Sequence, residues 1–167
     1  MTLSMYQAGI PPLVHSLSNL VNILEKGFNH AKEKKIEPTV LLNARLYPDM
    51  FALTKQVQIT SDITRRGIAR LAGHEAPSME DNETSFPELI NRIKESIEYL
   101  KSFTSEQIDG TETKSINLPI GEETYTFDGQ SYLLYFILPN VYFHVTTAYD
   151  ILRHCGVELG KIDYLGS

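Results

Sequence analysis

The chain has 167 residues, 42% of them apolar and 22% charged, with a formal net charge of −6. That length suits one domain over 1–167 with room for a sizeable core, and the acidic balance argues against nucleic acid, whose partners carry a basic face. No apolar run approaches the ~20 residues of a membrane span, which argues against a membrane protein.

The opening "MTLSMYQAGIPP" lacks the basic-then-apolar pattern of a signal peptide. The lone Cys155 fits a reducing compartment, so a soluble cytoplasmic protein is expected. In chain order, Leu13, Leu17, Leu20, Val21, Leu24 and Phe28 mark one apolar helix face. They predict a first helix over 11–35, opened by Pro11-Pro12, because proline in a first turn sacrifices no helical hydrogen bond. Residues 3–9 suit a short separate turn before it.

From Pro38 a short helical piece runs to a break near Pro48. A second long helix over 49–72 follows, carrying Phe51, Leu53, Val57, Ile63, Ile68 and Leu71, with Gly73 as its stop. "HEAPSMEDNET" reads as a polar loop, and "SFPE" at 85–88 as a capping box opening a third helix over 86–102. Ile116, Leu118 and Ile120 then alternate, "GEE" turns, and residues 124–127 alternate again, which predicts a β-hairpin over 114–127. The last helix, 129–155, is apolar on most sides and belongs in the middle of a bundle. Pro139 interrupts it, leaving a carbonyl near Tyr135 without its partner and predicting a kink. The architecture is mainly α: an antiparallel four-helix bundle with a small β-hairpin before the last helix.

Three stretches, "LSMYQAGIPPLVHSLSNL", "LLNARLYPDMFALTKQVQ" and "LPNVYFHVTTAYDILRHCGVELGKIDYLG", resemble an uncharacterised domain-of-unknown-function family. That family lies within the DinB/YfiT-like superfamily of four-helix bundles. The resemblance implies the same bundle and, through the superfamily's enzymes, a metal-dependent chemistry; several of those enzymes act with low-molecular-weight thiols as transferases or isomerases. They typically hold a divalent metal through three histidines, one from the second helix and two from an H-x-x-x-H in the last. Here that spacing survives as "NVYFH": His144 matches the second histidine, Asn140 stands where the first would be, and the second helix has no histidine. The resemblance therefore implies a degenerate metal site, and it also implies a homodimer.

Asn140 and His144 lie one turn apart on one helix face, which Thr147 and Ile151 continue. Gln56, Gln58 and Asp62 are the polar residues that the second helix sets against them, and His15 of the first helix is the candidate second imidazole. Two readings stay open. One is a polar pair inside the bundle, with His144 bonded to Asn140 or to a glutamine of the second helix. The other is a pocket for a small molecule. Zinc and its neighbours prefer imidazole, thiolate or carboxylate to a neutral amide, so no metal cofactor is expected; a divalent ion, if bound, would sit at His144. His154 lies about 15 Å further along the helix and cannot share that ion. Cys155 sits at a helix C-terminus, where the dipole disfavours a thiolate. Arg45, among Asn43 and Asp49, either pins the loop or binds an anion.

No phosphate loop, G-x-S-x-G, H-E-x-x-H or C-x-x-C occurs. Two functions stay in play: a bundle that binds a small polar ligand without catalysis, or a metal- or thiol-dependent transferase with an altered ligand set.

Overall fold

The computed structural model describes residues 3–166. The first helix, α1 (Met5–Lys34), starts six residues before the expected point. Ser4 caps it, its hydroxyl accepting from the Gln7 amide at 3.2 Å while Gln7 Oε1 accepts from the Ser4 amide at 3.3 Å. This reciprocal box satisfies two otherwise unpaired donors and fixes the start. Pro11 and Pro12 therefore lie inside the helix and do not open it, and residues 5–9 are its first turns, not a separate one.

A short α2 (Pro38–Leu42) leads into a loop that Arg45 pins by donating to the Met50 carbonyl at 3.2 Å. The second long helix, α3 (Leu53–Ala72), starts four residues later than the spacing of apolar residues predicts. It stops at Gly73, whose φ of 90° only glycine adopts cheaply. Helix α4 (Phe86–Lys101) begins at the expected cap, with Glu88 accepting from the Thr84 amide at 2.7 Å and from the Ser85 hydroxyl at 3.0 Å. After a single turn, α5 (Ser105–Ile108), the hairpin pairs β1 (Ser115–Ile120) antiparallel to β2 (Glu123–Asp128), with Ile116 opposite Phe127. Gly121 and Glu122 alone form its turn. Ile116 and Leu118 face inward while Ile120 is exposed, so the alternation holds for the first five residues of β1.

The last helix is continuous in sequence but not in hydrogen bonding. A turn, α6 (Gly129–Ser131), is capped by Asp128 and passes into a π-helical stretch over Tyr132–Ile137, then into α7 (Leu138–His154). The Leu138 amide reaches back five residues to the Leu133 carbonyl. The break expected at Pro139 thus takes the form of a wider turn just before it. A final turn, α8 (Lys161–Leu165), lies on α1.

α1 packs on α4 and α7, and α3 packs on the same two helices, closing the four-helix bundle. Leu13, Leu17, Leu20 and Leu24 of α1 meet Leu53, Val57 and Ile68 of α3 and Leu133, Val141, Val145 and Leu152 of the last helix in one core. Gly67 of α3 is a close-packing point, since a Cβ there would lie 2.8 Å from the Ile137 side chain.

Candidate functional site

Among the sequence-predicted residues, the fold brings His144 and Gln56 together. Gln56 opens onto the first turn of α3 and is buried, 2% exposed. Its Nε2 donates to the Phe51 carbonyl at 3.1 Å, and its Oε1 lies 2.6 Å from His144 Nδ1. A carbonyl can only accept, so Phe51 fixes which end of the amide is which. Oε1 must then face the ring, His144 Nδ1 must carry the proton, and Nε2 keeps a lone pair. Burial pushes the His144 pKa below its ordinary value, which favours this neutral tautomer. Among the described residues Nε2 takes no hydrogen bond, and His144 is half-buried. The Phe143 ring stands edge-on to it, with centroids 5.1 Å apart.

The other predicted partners are used elsewhere. Asn140 shares the helix face, yet its Nδ2 turns back and donates to the Phe136 carbonyl at 3.0 Å, repairing the helix where Pro139 and the π stretch disturb it. Thr147, 5% exposed, donates to the Phe143 carbonyl at 2.8 Å. Gln58 is buried but two residues from Gln56, about 200° round α3. It donates to Glu83 at 2.8 Å and does not face His144. His15 does not lie near His144 either. It is exposed and meets the Leu165 carbonyl, next to Asn19, which donates to the Tyr164 carbonyl at 2.9 Å. The reason is the tail, which folds back over α1 and takes both side chains.

Cys155 is half-buried, and burial pushes its thiol up, against a thiolate at neutral pH. One polar assembly has no periodic signal in the sequence. Arg92 of α4, 2% exposed, reaches Asp62 at 2.9 Å, Asp81 at 3.0 Å and Glu83 at 2.9 Å. Lys55 joins through Asp81 at 2.6 Å, so the 74–84 loop is clamped across α3 and α4.

The donor set around His144 does not suit the superfamily's transition-metal ion. One imidazole faces two amides, Gln56 is held by Phe51 and the ring, and Asn140 is turned into the backbone. Among the described residues, no three His, Cys, Asp or Glu side chains gather where they could hold a metal. No helix among the described residues is long and apolar enough to cross a membrane.

A bundle of four long helices with a hairpin before the last is the fold of a DinB-like protein, as a structural relative shows. A crystal structure of a DinB family member protein from Shewanella denitrificans superposes with a TM-score of 0.91, at 40% sequence identity, over 97% of this chain and 92% of that one. A family profile described as "Domain of unknown function (DUF1993)" matches residues 5–165, and the chain belongs to that family. No match was found among curated proteins.

Proposed function

We propose that the protein binds a small polar ligand at His144 and does so without a metal cofactor. The supporting observation is the Phe51–Gln56–His144 chain of hydrogen bonds, which leaves a neutral imidazole with its Nε2 lone pair uncommitted. Such a nitrogen accepts from a hydroxyl, amine or amide N–H. Phe143, 56% exposed and edge-on to the ring, supplies apolar surface beside it. In this reading the superfamily's metal position is degenerate, and the ligand takes its place.

The test is elemental analysis of purified protein together with 15N-histidine spectra during titration with small alcohols and amines. A saturable shift of the His144 Nε2 resonance, absent in His144→Ala, is the expected result. Near-stoichiometric zinc or nickel that is lost in His144→Ala would overturn the metal-free reading and favour a metal- or thiol-dependent transferase.

The exposed face of the last helix carries a homodimer in this proposal. Tyr135 and Phe143 lie eight residues apart on one side of the last helix, 76% and 56% exposed. Exposed aromatic surface of this kind is commonly covered by a partner. Sedimentation showing only monomer at micromolar concentration would remove the dimer. We place the protein in the cytoplasm, a proposal that rests on its single cysteine; subcellular fractionation tests it.

A further inference from the structure

A concentration of positive charge lies far from His144, at the other end of α3. Arg70 is fourteen residues beyond Gln56, about 21 Å along the helix. A cleft of about 540 Å³ opens there between the end of α3 and the start of β1. Its walls include Arg66, Arg70, Lys114 and His74, and the one carboxylate among them is Glu75. Three permanent cations thus converge on one space in a chain whose net charge is −6. Arg66 and Arg70 are four apart on one helix face, a spacing at which like charges destabilise a helix.

The fold positions these groups with less than one full carboxylate partner for each. Arg70 Nη1 donates to the buried Tyr132 hydroxyl at 2.7 Å, which aims the guanidinium and leaves its remaining donors uncommitted. Lys114 Nζ donates to the Leu71 carbonyl at 2.8 Å at the end of α3, offsetting the negative end of that helix beside the cleft. Gly73 makes room for it, since a Cβ there would lie 2.9 Å from the ammonium. Arg66 is half-exposed and pairs with Asp62 Oδ2 at 3.4 Å, while Arg92 takes the other oxygen, Oδ1, at 2.9 Å, so one carboxylate is shared between two guanidinium groups. His74 stacks face to face on Phe103 with centroids 5.4 Å apart. Ser78, Ser115 and Asn117 add neutral hydrogen-bonding groups to the same walls.

We infer that this cleft binds a small anion bearing carboxylate or phosphate groups, gripped by the Arg66 and Arg70 guanidinium forks with Lys114 as a point charge. The volume falls within the range of small-molecule sites.

Inorganic phosphate and citrate, titrated separately at constant ionic strength into 15N-labelled protein, test the assignment and separate the two anion types. Saturable shifts of the amides of residues 73–76, 78 and 114–117 are expected with at least one of them, while the amides around His144 stay unmoved. Arg66→Gln should weaken binding about tenfold, as the loss of a charge-assisted fork does. Arg70→Lys keeps the charge and tests the fork separately from the fold. Absence of saturable shifts with either anion would overturn the inference. Shifts of equal strength in Arg66→Gln and Arg70→Lys would also overturn it, because they would mark diffuse ion association in place of a site.

Discussion

Replacing His144 by Ala strands an amide that has nowhere else to turn. Gln56 is 2% exposed, and its Nε2 is committed to Phe51 at 3.1 Å, so it cannot swing to water without losing a second bond. Leaving its buried Oε1 unpaired costs about 1–3 kcal/mol. Because His144 is half-buried, the void left by the ring adds less than a core deletion would. The reverse change, Gln56→Met, leaves the half-buried His144 ring without its acceptor and the Phe51 carbonyl without this donor, and should cost about 1–2 kcal/mol. The double variant strands nothing at this contact, so a double-mutant cycle should give a coupling of about 1 kcal/mol. Urea unfolding followed by far-ultraviolet circular dichroism measures it, as a shifted midpoint with an unchanged slope. His144→Ala within about 0.5 kcal/mol of wild type, or full additivity in the cycle, would refute the reasoning.

Arg92→Met fills the same space but leaves Asp62, Asp81 and Glu83 facing one another. Their side chains are 22%, 36% and 10% exposed, which places the loss near the lower end of a broken buried pair, about 3 kcal/mol by chemical denaturation. A second prediction concerns Gly129, where a Cβ would lie 1.9 Å from the Thr111 carbonyl oxygen, a backbone atom. Gly129→Ala should therefore cost at least about 2 kcal/mol, while Gly160→Ala, with nothing within 4 Å of its Cβ, serves as a near-neutral control in the same thermal melts. The third is a pH dependence. The folded His144 titrates below its ordinary value of 6.5, so as pH falls the unfolded chain takes up the proton first. Stability present above that value is lost as pH falls towards the folded pKa. Between about pH 8 and pH 5 the slope should be shallower in His144→Gln than in wild type, as read from urea midpoints.

The helices were legible because their apolar residues recur with the period of a helix, and the hairpin because β1 alternates. The start of α1 was also written in the chain, as Ser4 and Gln7 in a capping pattern, but the conspicuous Pro11-Pro12 pair outweighed it. Helical spacing puts His144 on one face with Asn140, and the family resemblance turns that face towards the second helix. The partner of His144 could not be assigned this way, because Gln56 and Gln58 differ by two residues and the choice depends on how α3 is rotated in the bundle. Gln58 is drawn away by Glu83 on a loop that has no periodicity to read. His15 is claimed by the tail, where no apolar pattern announced the last turn, α8. Asn140 sits in α7 just past the π-helical stretch and turns to the Phe136 carbonyl within that stretch. Long-range placement of loops and termini is what the pattern of single residues leaves unspecified.

The π-helical stretch over Tyr132–Ile137 acts on the last helix as a phase offset. Each residue of an α-helix turns the chain by about 100°, and pairing to the fifth residue back accommodates one residue more than α pairing does. Everything downstream, His144 included, is therefore indexed to the bundle by the backbone pairing of these six residues as much as by its own side chains. Removing one residue from the stretch would return it to α pairing and leave His144 facing Gln56, whereas removing one residue from the α-helical turn before His144 would swing it about 100° away. A gap of one residue within Tyr132–Ile137 is thus a change of backbone pairing and not of inner face.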